Sequence, residues 1–243
     1  MIKEKHYVIG DIHGEYDMLI ALVEKLPQNA RLIFVGDLIN RGSQSREVVE
    51  FVRNNAFAVV RGNHEEYLLK YGKLFLKNVE SKRGYSAIWP YRNISSSLRS
   101  YGVLHKKSLR VIYNKEGIMQ LKNDMAWMAK LPLCFEMGYI KGYSLPVVIT
   151  HGSIDKYWLF KDSDPDYFAF HALNNRYDPS STAPIFNIYG HRPRNEVYFG
   201  SNFVSLDTGC GRGENRKLSA YCIETKEVFD VHKWELEYEQ IAS

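Results

Sequence analysis

Cysteine is scarce in this chain of 243 residues, which contains only Cys134, Cys210 and Cys222. An odd number of cysteines without a C-x-x-C spacing argues against a disulfide framework and against a metal site built from thiolates. We therefore expect these thiols to behave as small buried side chains.

Long apolar runs are also absent, since none approaches the ~20 residues that a membrane-spanning helix needs. The first predicted strand begins within a few residues of Met1, so no secretory signal is visible before it. A net charge of +4 is too small to indicate a nucleic-acid partner. We expect a cytoplasmic protein whose partners include neither a membrane nor a nucleic acid.

Acidic residues are nearly missing from one segment, residues 72–123, which contains only Glu80 and Glu116 as acids. Solvated helix faces explain most such excesses of positive charge, whereas a basic surface next to a phosphate site would steer anionic substrates. Both explanations remain open. The segment carries eleven basic residues: Lys73, Lys77, Lys82, Arg83, Arg92, Arg99, Lys106, Lys107, Arg110, Lys115 and Lys122.

Ahead of that segment, strand and helix patterns alternate. Each short apolar run is followed by apolar residues at helical spacing, which predicts a mainly parallel sheet covered by helices. The predicted strands are Tyr7–Ile9, Leu32–Val35 and Phe57–Val60, and the helices begin near Tyr16, Ser43 and His64.

The alternation stops at about residue 71. A helix-rich stretch from there to about residue 130 predicts a cap inserted into a single domain that spans residues 1–243. From Ile185 onward the chain is rich in strands separated by glycine-containing turns, so we expect a second, mixed sheet packed on the first. Its predicted strands are Ile185–Tyr189, Phe203–Leu206, Leu218–Ile223 and Val228–Val231.

Side chains that can bind metals follow the predicted strands, each close to a glycine. Ligands of open α/β sheets bind outside the carboxyl ends of the strands, so this position is informative. Asp11 and His13 point the same way on an extended segment and can reach one metal together. Asp37 can bridge two cations with its two oxygens. The segments are GDIHG at 10–14, GDLINRG at 36–42, RGNHE at 61–65 and the pairs at 151–152 and 190–191.

A second metal position is completed by Asn63, whose amide oxygen is a neutral ligand, and by His151 and His191, which end later apolar runs. Oxygen and imidazole ligands without thiolate suit manganese, iron or zinc, and the pattern does not choose among them. Two divalent ions ~3.5–4 Å apart attract a phosphate dianion and activate hydroxide for in-line attack. The residues therefore predict a two-metal phosphoesterase.

These segments resemble the phosphoprotein phosphatase branch of the calcineurin-like metallophosphoesterases, especially the small bacterial and phage serine/threonine phosphatases. The resemblance spans most of the chain and includes VVRGNHE, the block from Leu131 to Gly152, NNR at 174–176, YGH at 189–191 and LDTGC at 206–210. It implies an α/β fold of two packed mixed sheets flanked by helices, a four-layer sandwich with a helical cap.

The resemblance also implies a dinuclear centre of two divalent ions, with manganese as the first expectation and iron or zinc as alternatives. It assigns Asp11, His13 and Asp37 to the first ion, and Asp37, Asn63, His151 and His191 to the second. A metal-bridging hydroxide would attack a phosphomonoester in line. The substrate would be a phosphorylated protein or a small phosphate ester.

Other residues resemble the family's substrate-binding and acid–base groups. Arg41, Arg61 and Arg176 resemble arginines that clamp phosphate, a task that suits the planar guanidinium. His64 resembles the general acid that protonates the departing alkoxide.

Asn40 departs from the pattern of the protein phosphatases, which have aspartate there to orient the histidine and stabilise its imidazolium. An amide oxygen can still accept the ring N–H but brings no negative charge, so the general-acid step is expected to be impaired. Either another acid contributes, or the leaving group has a low pKa and needs little protonation, which points to phosphoanhydrides. A disabled phosphatase that only binds phosphorylated partners is a further alternative.

The symmetrical diadenosine tetraphosphatases are the main enzymatic alternative, with dinucleoside polyphosphates as substrates. They share the scaffold, can lack aspartate at the position of Asn40 and have a closing strand similar to residues 206–210. Their histidine is typically followed by aspartate, whereas Glu65 follows here and favours the protein-phosphatase interpretation.

Two features of the sequence leave alternatives open. Arg192, where the family usually has threonine, would either add a phosphate contact or reach a neighbouring loop. Aromatic residues of the cap would either stack on adenine bases or belong to the core. They are Tyr85, Trp89, Tyr91 and Tyr101.

Overall fold

The computed structural model describes residues 4–80, 93–107, 110–213 and 216–236. Its first sheet contains three parallel strands joined by two helices, as the alternating pattern predicts. The strands are β1 (His6–Ile9), β2 (Arg31–Phe34) and β3 (Ala56–Val59), and the helices are α1 (Tyr16–Glu24) and α2 (Ser45–Asn55).

Five further strands form the second sheet, in the order β4-β5-β6-β8-β7. Its central strands β5, β6 and β8 are parallel, and each outer strand is antiparallel to its neighbour. The strands are β4 (Cys134–Gly138), β5 (Val147–Thr150), β6 (Phe186–Tyr189), β7 (Tyr198–Phe199) and β8 (Phe203–Ser205).

The last two strands correct one expectation. β9 (Lys217–Cys222) and β10 (Val228–His232) belong to the first sheet, where β9 pairs antiparallel with β1 and β10 with β9. The sequence placed them in the second sheet together with β6 and β8. An apolar run specifies burial but not the pairing partner, and all six residues of β9 are buried between β1 and β10.

Alternating side chains along β1 show how the layers pack. Val8 joins a core between the two sheets that includes Ile33 and Ile149, while Tyr7 and Ile9 face the opposite way, towards the helices. The outer face of the second sheet is covered by a short 3₁₀ helix (Lys156–Phe160) and by α6 (Pro165–Asn174). The predicted sandwich of two mixed sheets flanked by helices is confirmed.

The region predicted as a cap contains most of α3 (Asn63–Glu80), together with α4 (Ser95–Ser100) and α5 (Lys115–Met128). Leu98 and Met125 pack into the same apolar core as the helix-facing side of the first sheet. Tyr101 is buried in this core, where its hydroxyl donates to Oδ2 of Asp124 at 2.8 Å. The other three cap aromatics, Tyr85, Trp89 and Tyr91, lie outside the described residues, as do Lys82, Arg83 and Arg92.

The three cysteines are free thiols, of which Cys210 and Cys222 are buried and Cys134 is half-buried. Within the described residues, no helix combines the length and the apolar character that crossing a bilayer requires.

Candidate metal centre

The side chains of the motifs converge where the two sheets meet. Strands β1, β2 and β3 of the first sheet and β5 and β6 of the second all end at this edge, and a motif follows each of them. Parallel strands within each sheet bring these carboxyl ends together. The structure thereby gathers six predicted ligands in one buried cluster: Asp11, His13, Asp37, Asn63, His151 and His191.

Asp37 lies at the centre of the cluster, and its two oxygens face different partners. Oδ2 is 3.6 Å from Nε2 of His13, and Oδ1 is 3.4 Å from Nε2 of His151. The donor atoms of His13, Asp37 and His64 lie within 4.8 Å of one another, and so do those of Asp37, His151 and His191. Because the carboxylate of Asp37 lies between His13 on one side and His151 on the other, the cluster fits a pair of bridged cations.

Asp11 and Asn63 extend these groups. Oδ2 of Asp11 is 4.0 Å from Nε2 of His13, and both of its oxygens accept the backbone N–H of His191 at 3.1 Å. Oδ1 of Asn63 is 3.0 Å from Nε2 of His151, which is itself 3.1 Å from Nδ1 of His191. The contact between Asp11 and His191 joins the two sheets at the centre.

Two histidines are oriented by backbone carbonyls so that one nitrogen remains available. Nδ1 of His13 donates to the carbonyl of Ile39 at 3.1 Å, and Nδ1 of His151 donates to the carbonyl of Val35 at 3.0 Å. Each ring therefore keeps its lone pair on Nε2, which faces the carboxylates. Nε2 of His13 is buried and has no hydrogen-bond partner among the described residues. An orphaned nitrogen next to two carboxylates fits a metal ligand.

The electrostatics of the cluster favour cations. Burial, with repulsion from neighbouring carboxylates, raises the pKa of both Asp11 and Asp37 well above the usual range. Burial also lowers the pKa of His13 and of His151 well below the usual range, so these rings are neutral at neutral pH. Neutral imidazoles and crowded carboxylates are suitable ligands for divalent cations.

Backbone strain is concentrated in the loops of this site. Among the described residues, six other than glycine have a left-handed φ, and five of them lie here: His13, Asp37, Asn40, Arg41 and His191. Each such conformation costs of order 1–3 kcal/mol and persists only when its surroundings impose it. The site is also closely packed at Gly190, where the Cβ of any other residue would lie 2.0 Å from Oδ1 of Asp11.

Glu65 supplies part of what holds the strained Asp37 loop. Its buried carboxylate accepts three backbone N–H groups: Oε2 from Asp37 at 2.8 Å and Gly62 at 2.9 Å, and Oε1 from Leu38 at 2.9 Å. A shorter aspartate would not span this distance from the first turn of α3 without moving the backbone. The glutamate after His64 therefore has a structural role in this chain.

The amide oxygen of Asn40 was expected to accept the ring N–H of His64, but in the structure the amide nitrogen faces the ring. Oδ1 of Asn40 accepts the hydroxyl of Ser97 at 2.6 Å, and Nδ2 lies 3.1 Å from Nδ1 of His64. An amide donor at Nδ1 leaves the ring proton on Nε2. Burial first, and then the charge of Arg41, lowers the pKa of His64 to about 3. His64 is therefore a neutral ring whose Nε2, with its proton, is 3.9 Å from Oδ2 of Asp37.

The three predicted phosphate-clamping arginines have different surroundings. Arg41 is half-buried near the carboxylates, and Arg176 donates from Nε to Nε2 of His191 at 3.1 Å. Arg61 is directed towards Glu66, 3.5 Å from Nε, and towards the carbonyl of Ala129. The structure thus brings Arg41 and Arg176 to the cluster and orients Arg61 along α3 and α5.

Arg192 reaches a neighbouring loop, since its guanidinium is 2.9 Å from Oδ1 of Asp178. This contact answers the question that the sequence left open at the position after the Gly-His pair.

Two charged residues near the cluster were not singled out from the sequence. Asp207 follows β8 at the same edge, and its buried Oδ2 has no partner among the described residues. Arg212 lies on the glycine-containing loop that follows, where a Cβ on Gly211 would be 2.8 Å from Cβ of His13. The strand-then-aspartate pattern of LDTGC could have identified Asp207, whereas Arg212 carries no signal apart from its charge.

Comparison with known families identifies this arrangement. A model of the calcineurin-like phosphoesterases matches residues 5–208, the stretch that contains all six clustered side chains. The chain belongs to this family. The resemblance inferred from the motifs and the predicted class of enzyme, a metallophosphoesterase hydrolase, are thereby confirmed at the level of the family.

Individual calcineurin-like phosphoesterases similar to this one include two tetraphosphatases. A symmetrical bis(5'-nucleosyl)-tetraphosphatase of Marinomonas sp. is 46% identical over 78 residues, which is 28% of this chain and 28% of that protein. The asymmetrical bis(5'-nucleosyl)-tetraphosphatase PrpE of Geobacillus sp. is 28% identical over 222 residues, 84% of each chain. The chain thus spans little more than a quarter of the Marinomonas protein but most of the Geobacillus one.

Among solved calcineurin-like phosphoesterases, a protein provisionally described as a diadenosine tetraphosphatase has a similar fold. The TM-score is 0.63 at 18% identity, and the match covers 96% of this chain and 95% of the other. The similarity supports the two-sheet architecture.

Proposed function

We propose that this calcineurin-like phosphoesterase hydrolyses phosphoanhydrides, with dinucleoside polyphosphates as its substrate class. The proposal depends mainly on one observation, the contact of the Asn40 amide nitrogen with Nδ1 of His64 while Ser97 occupies the amide oxygen. The tetraphosphatase names of the two relatives support the same substrate class.

The clustered side chains would hold two divalent cations. Asp11, His13 and Asp37 form one proposed set, and Asp37, Asn63, His151 and His191 form the other. When bound, such cations supply Lewis-acid activation of water and neutralise charge on the phosphoryl group. Manganese remains our first expectation from the resemblance, and the set of oxygen and imidazole donors without thiolate would also suit iron or zinc.

The state of His64 is the reason for preferring an anhydride. A neutral ring with its proton on Nε2 can donate a hydrogen bond, but without a carboxylate at position 40 it is poorly able to deliver a proton. A serine alkoxide needs that proton in order to leave. A departing phosphate does not, because the second pKa of a phosphate group is about 6. We therefore propose His64 as a hydrogen-bond donor to the leaving phosphate.

Three guanidiniums are proposed to bind the phosphates of the substrate. Arg41 lies among the carboxylates, and Arg176 contacts the ring of His191. Arg212 is exposed, and its positive charge lowers the pKa of Arg41 and of His64, as expected for a cation close to both. We leave Arg61 out of this set, because its guanidinium is directed towards Glu66 and Ala129.

Hydrolysis of phosphoserine or phosphothreonine in proteins, our expectation from the resemblance, is the second candidate. The feature that favoured it was the glutamate after His64. In the structure Glu65 holds the Asp37 loop through three backbone N–H groups, so its identity follows from backbone geometry rather than from the substrate.

The experiment that separates these candidates measures kcat/KM of the manganese-loaded protein on three substrates: diadenosine tetraphosphate, a phosphoserine peptide and p-nitrophenyl phosphate. We expect the dinucleotide to be preferred. Two molecules of ADP would indicate symmetrical cleavage, whereas ATP plus AMP would indicate asymmetrical cleavage. Preference for the peptide would replace our proposal with the protein-phosphatase function. Binding of phosphorylated ligands without turnover would identify a disabled phosphatase.

Asn40→Asp tests the observation behind the proposal. A carboxylate could accept from both Ser97 and Nδ1 of His64, which would stabilise the imidazolium and restore a general acid. We expect peptide turnover to rise by about tenfold or more, since general acids contribute ~10²–10⁴-fold. Asn54→Asp, on the exposed face of α2, is the matched control. Unchanged peptide turnover in Asn40→Asp at every pH tested would contradict the role given to His64.

A further inference from the structure

A cavity of about 490 Å³ opens next to the metal centre, between the start of α3 and α4. Asn40 and His64 line its inner end, and Arg41, Tyr67 and Arg99 line other parts of its wall. Its volume falls within the ~300–1,000 Å³ typical of small-molecule sites. The cavity therefore adjoins the reacting centre on the side of His64.

Arg99 gives this cavity a positive charge. Among the described residues, no carboxylate forms an ion pair with it. Its Nε donates to the carbonyl of His105 at 3.3 Å, and Nη1 donates to the hydroxyl of Ser95 at 3.2 Å. Both acceptors are neutral and both contacts are long, so the guanidinium retains its charge and further N–H groups for an anion. Together with Arg41, it makes the cavity suitable for more than one phosphate.

Tyr67 adds an aromatic surface to the same cavity. It lies one turn after His64 on α3, and its side chain is 38% exposed. Its ring meets that of His64 edge to face, with centroids 5.9 Å apart. Aromatic rings placed in this way can stack on nucleobases without selecting among them.

We propose that this cavity binds the leaving nucleotide of the anhydride, with Arg99 at its phosphates and Tyr67 against its base. The inference rests on the proposed function. Water adds to one phosphorus and loses a proton to solvent, the bond from that phosphorus to the bridging oxygen breaks, and the nucleotide leaves with this oxygen and its electron pair. His64 lies between the metal-binding groups and the cavity, so a group leaving past its ring enters the cavity.

The positive charge of the cavity favours dinucleoside polyphosphates over phosphoproteins as substrates. A leaving nucleotide carries one or more phosphates that Arg99 can bind. A serine released from a phosphoprotein carries none, so Arg99 would have no anion to bind in that reaction. The polar wall and the exposed ring of Tyr67 therefore fit a nucleotide better than a peptide.

Arg99→Met and Tyr67→Leu test this assignment, and Lys73→Met, on the exposed face of α3, is the control that also removes a cap charge. The measured quantity is kcat/KM for diadenosine tetraphosphate divided by that for p-nitrophenyl phosphate. We expect this ratio to fall about tenfold or more in Arg99→Met and in Tyr67→Leu. In Tyr67→Phe, which keeps the ring, the ratio should stay near that of the wild type. Inhibition of p-nitrophenyl phosphate hydrolysis by ADP should weaken in parallel.

The outcomes distinguish failure of this inference from failure of the proposed function. If wild-type protein hydrolyses the dinucleotide and both variants match Lys73→Met in the ratio and in ADP inhibition, the assignment of the cavity is overturned and the proposed function stands. If wild-type protein hydrolyses p-nitrophenyl phosphate but not the dinucleotide, the proposed function is overturned and this inference with it. A selective fall of the ratio in both variants supports the inference.

Discussion

Replacing Glu65 by glutamine should destabilise the protein and loosen the metal centre. The carboxylate accepts three backbone N–H groups, and hydrogen bonds to charged groups are worth about 1.5–3 kcal/mol each, against about 0.5–1.5 for neutral ones. Glutamine can keep two of the three bonds in weaker, neutral form, and its amide would oppose the third N–H. The lost hydrogen bonding is about 3–6 kcal/mol.

Part of that loss is offset. Burial raises the pKa of Glu65, so removing the charge recovers some of the free energy that burial of the carboxylate costs. We therefore expect the free energy of unfolding to fall by about 2–4 kcal/mol, a large share of the ~5–15 kcal/mol typical of folded domains. The N–H of Asp37, whose backbone is left-handed, would keep only a weaker, neutral acceptor, and the N–H of Leu38 beside it would lose its acceptor. We therefore expect manganese affinity to fall about 10–100-fold.

The assay is urea unfolding of metal-free protein, followed by calorimetric titration with Mn²⁺. Glu66→Gln is the matched control, because Glu66 is the next residue of α3 and its side chain is 49% exposed. The control should change the free energy of unfolding by no more than about 0.5 kcal/mol. If Glu65→Gln unfolds at the same urea concentration as Glu66→Gln and binds manganese equally well, the three hydrogen bonds do not support the loop as argued.

Four further outcomes follow from the site. Gly190→Ala would place a methyl group 2.0 Å from Oδ1 of Asp11, so we expect ~1–3 kcal/mol of destabilisation in urea and weaker metal binding; wild-type behaviour would contradict this packing. Asp37→Ala and His151→Ala should each abolish hydrolysis and reduce the bound metal measured by elemental analysis, and retained activity in either would refute the two-metal assignment. Manganese affinity should rise with pH, by up to about tenfold per unit for each proton displaced, because the raised carboxyl pKa values of Asp11 and Asp37 make protons compete with the metal. Calorimetry at several pH values checks this, and constant affinity would show that no such protons are displaced. Arg212→Met should raise KM about tenfold with little change in kcat, and an unchanged KM would remove Arg212 from the phosphate-binding set.

The strand ends and the clustering of the six proposed ligands could be predicted because both depend on local patterns. A short apolar run followed by glycine and a metal-binding side chain specifies a strand end, and parallel strands bring such ends together. The same local pattern applies to Asp207, which follows β8, although the sequence analysis did not single it out as a site residue. Where a residue's position depends on its own strand, the sequence was sufficient to place it.

Long-range contacts account for what could not be predicted. The orientation of the Asn40 amide depends on Ser97, which lies 57 residues away on α4, and no local pattern records that pairing. Tyr101 is an aromatic residue that could stack on a base, but it is buried and donates to Asp124. Tyr67, which the sequence did not single out, is instead exposed at the site. The positions of β9 and β10 depend in the same way on their distant pairing with β1.

The order of the proposed ligands along the chain has an evolutionary consequence. After Asn63, the next proposed ligand is His151, and the whole region predicted as a cap, residues 71–130, lies between them. The cap can therefore change in length or sequence without removing a metal-binding side chain, while Ser97 and Arg99 carry its influence to Asn40 and to the adjoining cavity. Selection can thus act on substrate preference through one continuous segment and leave the proposed metal-binding side chains unchanged.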